Sequence, residues 1–490
     1  MSPDMSLYHS STKQKPGHSS LGSSCRSVAI SGLLLLLLCT LSFSYHWSQS
    51  LIAFYLPFRL SCLSSGPGPG PCPSTGTPTN VNHLVFGIVG SVNTWKHKRP
   101  YIESWWRPNV TRGYLFLDRA PSKELQDWPP SSPPFRVNED ITKWEVYPRI
   151  ARPVQVRIFR TILETFRQGD RDVRWYIMAD DDTVLFLDNL VEVLSKYDHT
   201  KYYYIGSTSE CITSNFDLSF EMAFGGAGYA LSYPLVEMLA TELDACIKRN
   251  PQLFFSDHML HICLADLGVS LTRERGFHQI DLHGDISGFL SAHLQSPILS
   301  LHHIDVIDPI FPSMNRSEAI NQLMKPAQVD QSRLLQQTVC YNRERNWSIS
   351  VSWGYSTHIY ENILPRSFLG KPIETFKPWL KRAKPPFYLF NTRILDGNPC
   401  IVPHVFFLKS MENATRNEIV TAYTRASKRG LPACALGGNH SADPISRVLV
   451  FSPRRRHIEA GRIECCDVLA DNQNTTKVRL RPCMFGEVIA

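Results

Sequence analysis

Neither sign of charge dominates this chain. Its 490 residues carry 51 Lys and Arg against 44 Asp and Glu, and the net +7 is spread out. No basic stripe with interleaved aromatics runs along it, which argues against a nucleic-acid partner. The tight cluster Arg454-Arg455-Arg456 has the length of a solvated turn. Nucleotide-binding loop spacings are missing too: the glycine-rich run Phe224 to Ser232 matches neither the dinucleotide nor the P-loop pattern. An EF-hand needs alternating acidic ligands, a central Gly and a terminal Glu. These are absent around Asp180, which makes a calcium-binding adhesion protein the poorer reading.

The features that are present begin with an address. Residues 1–27 are polar, with Lys13, Lys15 and Arg26. Residues 28–45 then run through six consecutive leucines, Leu33 to Leu38, close to the about 17–25 residues that cross a bilayer. The preceding positive charges predict a cytosolic N-terminus, a transmembrane anchor at 28–45 and a luminal body. A cleaved signal peptide is the competing reading; the long polar leader argues against it. Residues 46–81 include a Pro-, Gly- and Ser-rich stretch that cannot bury enough apolar surface to fold, and read as a stem. Six Asn-x-Ser/Thr sequons lie beyond the anchor, at Asn109, Asn315, Asn346, Asn413, Asn439 and Asn474. Eleven of the thirteen cysteines also lie beyond it, so an oxidising lumen predicts disulfides with at least one thiol left over.

The folded sequence is expected from residue 82. Short apolar runs at 84–90, 113–117, 175–179 and 202–206 alternate with helical patterns at 96–106, 153–166 and 233–247. The stripe Val154, Ile158, Ile162 and Phe166 marks one amphipathic helix. This alternation predicts an α/β sheet with helices on its faces over 82–325. From 335 to 490 the pattern turns mainly β, with strands expected at 348–354, 387–390 and 405–408 and six of the thirteen cysteines.

One strand ends in three acids. Trp175 to Ala179 runs into Asp180, Asp181 and Asp182. Carboxylates this close repel unless a cation relieves them, and hard divalent ions take oxygen ligands. The bland alternative is an acidic loop whose last Asp caps the next helix. Three further blocks come later in the chain: the turn Gly225-Gly226-Ala227-Gly228, the helix start Ser256-Asp257-His258, and the pair His302-His303 beside a strand. Each alone is ordinary: a turn, a cap, a structural His.

In this order and spacing the four blocks resemble the Fringe-type β-1,3-glycosyltransferases, and most of all their plant relatives carrying domain of unknown function 604. The resemblance covers about residues 82–315. It implies a GT-A-type fold, a UDP-sugar donor, a glycan or glycoprotein acceptor, Mn²⁺ and a Golgi membrane location. By position, Asp180 and Asp181 would face the nucleotide and Asp182 would ligate the metal, with His302 as partner and His303 as rival. Gly225, Gly226, Ala227 and Gly228 would line the sugar pocket, and Asp257 would be the catalytic base. Ser256 stands where relatives often carry a second acid, and His261 where many carry Gly. A degenerate sugar-binding or scaffold protein is therefore the alternative.

Overall fold

The computed structural model describes residues 77–121, 128–294, 296–380, 385–435, 440–454, 463–472 and 474–489. The expected anchor at 28–45 and most of the expected stem lie outside the described residues. Among the described residues no helix is long and apolar enough to cross a membrane.

The first half opens with β1 (Leu84–Val89), α1 (Val92–Glu103), β2 (Arg112–Leu117), β3 (Phe135–Val137), α2 (Pro153–Phe166), β4 (Trp175–Asp180), β5 (Val184–Leu185), α3 (Leu187–Leu194) and β6 (Tyr204–Gly206). It continues with β7 (Tyr229–Ser232), α4 (Tyr233–Arg249), α5 (Ser256–Asp266), β8 (Leu271–Arg273), β9 (Leu282–Gly284), β10 (Ser300–Leu301) and α6 (Arg316–Ala327). The main sheet has the order β3-β2-β1-β4-β7-β6-β8. Its strands are parallel except β7, which runs against both neighbours. The reversal matters for chemistry. It brings the turn before β7 to the same edge at which β4 ends.

Both faces of this sheet are covered, so its strands are continuous apolar runs rather than alternations. Along β4, Trp175, Ile177 and Ala179 enter one core while Tyr176 and Met178 enter the other. Helix α2 spans the expected residues, but its buried stripe is offset. Val156, Phe159, Ile162 and Leu163 pack on the sheet, whereas Val154, in the first turn, is 60% exposed. Neither capping alternative holds: α3 starts after Phe186, four residues beyond Asp182, and α5 after Phe255, with Ser256 already inside it, and neither helix has a side-chain cap bond.

The remaining residues form β11 (Gln337–Asn342), β12 (Trp347–Ser352), β13 (Ser356–Tyr360), β14 (Phe376–Pro378), β15 (His404–Asn413), β16 (Glu418–Arg425), β17 (Arg447–Pro453), β18 (Cys465–Asn472) and β19 (Thr475–Arg481). All but β14 join one eight-stranded sheet, β11-β12-β13-β15-β16-β17-β19-β18. The Cys340–Cys466 disulfide ties its two edge strands together. Three more bonds, Cys246–Cys263, Cys400–Cys434 and Cys465–Cys483, leave Cys211 as the buried free thiol among the described residues. The chain is thus α/β in its first half, with a mainly β, disulfide-rich C-terminal part.

Two details of the second half differ from expectation. Strand β12 is buried along its whole length rather than half exposed. Its serines face protein: Ser348 donates to the Asn362 carbonyl (2.7 Å) and Ser352 to that of Leu290 (3.0 Å). The run 387–390 is not a strand; Tyr388 makes a single bridge to Cys211, and the rings pack instead. Thr77–Ala490 form one compact unit. A single core cluster joins Phe86 and Ile304 to Trp353 and Val450, and β9 pairs with β14 across the two parts.

Candidate active site

The site lies where the parallel strands end. Asp180 is the last residue of β4, and Asp181 and Asp182 come next in the turn, which closes when the Thr183 hydroxyl donates to the Gly226 carbonyl (2.7 Å). A cavity of about 600 Å³ opens at this edge. Asp180, Gly225, Gly226, Asp257, His302 and His303 all line it. Asp181, Asp182, Ala227 and Gly228 do not line it.

Asp180, Asp182 and His302 form one cluster, with a ligand atom from each within 4.8 Å of the others. His302 Nε2 is 3.1 Å from Asp182 Oδ1 and 3.8 Å from Asp180 Oδ2. Two carboxylates and an imidazole suit a divalent transition ion such as Mn²⁺. The buried His302 Nδ1 has no partner. His303 turns elsewhere: its Nδ1 is 3.2 Å from Asp281, and its ring stacks on Trp379 at 4.5 Å. Asp181 is buried and accepts from the Thr94 hydroxyl (3.3 Å).

Burial and crowding set the charges. Burial raises Asp180 to about 6 and Asp181 to about 7. Burial would raise Asp182 as well, but His302 and then Lys98 hold it well below the usual carboxylate range. Burial disfavours a charged His302, yet the neighbouring Asp182 lifts it to about 9. Three acids, an imidazole and the Lys98 ammonium thus share a small, poorly solvated volume.

The glycines are there to make room. A side chain on Gly225 would begin 2.4 Å from Asp257 Oδ1, and one on Gly226 would begin 2.0 Å from the His302 ring. The turn is wedged between the carboxylate and the imidazole. Gly228 adopts φ 82°, a left-handed conformation. Ala227 donates its N–H to Gln279 (2.8 Å). Asp257, in the first turn of α5, receives the Ser256 hydroxyl at 3.2 Å, and burial raises its pKa.

Several residues at this site carry no signal in the sequence. Lys98, on α1, reaches Asp182 (2.6 Å) and Asp305 (2.5 Å). Burial opposes its charge, but Asp182 raises its pKa. Asp281 and Gln279 lie in an irregular segment with no motif. Trp379 comes from the C-terminal part, nearly two hundred positions beyond the acid triplet. Only Asp305 stands next to a sequence block with a signal of its own, the His pair.

The family described as "Protein of unknown function, DUF604" matches residues 214–466, just over half of the chain. The chain belongs to that family. It is also similar to two curated proteins over shorter stretches. The β-1,3-glucosyltransferase of Homo sapiens is 29% identical over 150 residues, 30% of this chain and 28% of that protein. The β-1,3-glucosyltransferase of Mus musculus is 27% identical over 119 residues, 24% of this chain and 23% of that protein. The chain therefore spans about a quarter of the length of these relatives. Among solved structures, it is similar to a glycosyltransferase involved in glycosylation of the major capsid of PBCV-1. That likeness has 11% identity and a TM-score of 0.26, covering 49% of this chain and 98% of that one. A mannosyltransferase from Pyrobaculum calidifontis in complex with GDP-Man and Mn²⁺ gives 12% identity and 0.24, covering 61% and 82%. Likenesses this slight decide nothing about the chain.

Proposed function

We propose that this protein is a divalent-cation-dependent, inverting glycosyltransferase. It moves a sugar from a UDP-sugar to a hydroxyl of a glycan or glycoprotein, in β-1,3 linkage. One observation carries the reading: Asp180 and His302, which cluster with Asp182, line one cavity together with Asp257, on either side of the Gly225-Gly226 turn. The relatives' printed activity, β-1,3-glucosyl transfer, makes UDP-glucose the first donor to try. The Fringe-like, plant-type placement is part of this proposal.

Asp180, Asp182 and His302 would hold Mn²⁺, which supplies positive charge for the departing diphosphate when bound. Asp257 accepts the proton of the acceptor hydroxyl as that oxygen bonds to the anomeric carbon. The bond from that carbon to the diphosphate oxygen breaks, and UDP leaves on the opposite face. A positioned general base contributes roughly 10²–10⁴-fold. Trp379 and, from α2, Ile158 and Phe159 give the cavity apolar walls. The test is Asp257→Asn assayed with a panel of UDP-sugars. Turnover is expected to fall by about 10²-fold or more with UDP binding retained; unchanged turnover overturns the base assignment.

A second reading has its own support. Lys98 already neutralises Asp182 from 2.6 Å, so the acids are partly compensated without any metal. This favours a sugar-binding protein without turnover. Absence of UDP release with every donor, together with intact sugar binding, would select it.

For location, we propose a single-pass type II protein of the Golgi membrane, held by residues 28–45 with its folded body luminal. The four disulfides support an oxidising compartment. The five sequon asparagines that are described, Asn109, Asn315, Asn346, Asn413 and Asn474, are all exposed. Resistance of the expressed chain to glycosidase would count against this topology.

A further inference from the structure

The segment 277–281 divides two cavities. Gln279 and Asp281 line the candidate active site, whereas Phe277 and His278 line a second cavity of about 970 Å³. The walls of the second come from the residues just after β6, from β8 and the loop beyond it, and from the C-terminal part. The two are mechanically joined. Ser209, on the wall of the second, donates its hydroxyl to Asp281 at 2.5 Å.

Its charge is one-sided. Arg273, Arg275, Arg366 and Lys371 line it, against the single carboxylate of Glu210. Glu210 is already committed: it meets His278 Nδ1 at 2.9 Å and accepts the Ile280 N–H at 2.8 Å. Arg273 is committed too, to Glu221 at 2.9 Å. Among the described residues, Arg275, Arg366 and Lys371 have no carboxylate within ion-pair distance. Arg366 is the telling one. Its Nε is buried without a partner. A guanidinium N–H can only donate, so the group it lacks is an acceptor. A buried donor left unsatisfied is costly. His278, 4% exposed, likewise has an unpartnered Nε2.

A bare ion would leave most of this volume empty, since a water's share of liquid is about 30 Å³. The cavity also offers flat apolar surface: the Phe390 ring lies 4.1 Å from that of His293, which stacks on Phe289 at 4.7 Å. Rings and donors together suit a ligand with both apolar faces and an anionic group. We propose that the second cavity binds an oligosaccharide bearing an oxyanion, a uronate carboxylate or a sulfate ester. Arg366 and Arg275 hold the anion, and Phe390 packs against a sugar face. This assignment does not depend on glycosyl transfer.

The test is equilibrium binding to the full chain at low salt. The probes are an oligouronate, a sulfated oligosaccharide and a neutral oligosaccharide of equal length, and sodium sulfate. One or both acidic probes are expected to bind, and which of them does so identifies the anion. Arg366→Gln and the rim variant Arg275→Ala should each weaken that binding by about tenfold or more. Asp257→Asn should leave it unchanged, which separates this site from the candidate active site. No binding of either acidic probe, equal binding of the neutral one, or sulfate alone binding as tightly would overturn the proposal. So would full affinity in a folded Arg275→Ala protein.

Discussion

At the scale of single residues, the candidate site is built on omitted atoms as much as on charged ones. Gly226 has no side chain because His302 occupies that space. Gly226→Ala is expected to force the His302 ring out of the acid cluster, at about 1–3 kcal/mol of stability. Thermal denaturation and UDP titration of the variant measure the two effects; an unchanged midpoint with intact binding would refute the wedge. Asp182→Ala removes the residue that both His302 and Lys98 address. Mn²⁺-dependent UDP binding should vanish by calorimetry, and its persistence would contradict the metal assignment.

At the scale of elements, pins hold the chemistry in place. The Cys246–Cys263 disulfide clamps α4 to α5, the helix that presents Asp257, across a separation of 17 residues. Replacing both cysteines by Ser should cost about 3 kcal/mol by the loop-entropy relation. Denaturant midpoints report it directly, and no shift would mean that packing alone seats the helix.

The C-terminal sheet has a different pin. Buried Glu361 meets His404 (2.9 Å), Arg429 (2.9 Å) and the N–H groups of Cys434 and Ala442, both at 2.8 Å. Burial alone would raise this carboxyl, but His404 and those N–H groups hold it at about 2, below its ordinary 4.5. A depressed pKa means that the folded state binds the proton less readily than the unfolded one. The stabilisation is complete above the ordinary value and is lost as pH falls from there toward the folded value. Glu361→Gln should flatten that acid limb and cost about 2–4 kcal/mol at neutral pH. Parallel stability–pH curves for the two proteins would dismiss the pin.

At the scale of the whole molecule, the two expected regions share a core and a site. Trp353 and Val450 belong to the same apolar cluster as Phe86 and Ile304. Trp379, from the second region, stacks between His283 (4.4 Å) and His303 (4.5 Å) at the cavity. A chain ended at residue 325 is therefore expected to expose apolar surface and aggregate. A soluble, cooperatively unfolding fragment would show that the first half folds unaided.

Much of this was legible in the chain because it rests on short-range rules. Period-2 burial, helix stripes and an acid-tipped strand are written in consecutive residues, and α2 and β4 fall where their patterns put them. The alternation in β12 was legible too, but its meaning was not. Polar residues facing protein leave the same pattern as polar residues facing water. The offset stripe of α2 has a similar cause: the helix carries seven apolar residues besides its leading Pro, more than one face can bury, and only the sheet chooses among them.

Residue order alone marks the acid triplet, the glycine turn, Asp257 and the His pair as chemistry-bearing types in succession. Folding was needed to show that His302 rather than His303 joins Asp180 and Asp182, that Lys98 reaches Asp182, and that a C-terminal Trp379 lines the same cavity. Distance accounts for the division. Backbone preferences act over a few residues, whereas a site is an agreement among side chains that the chain brings together only when its core closes.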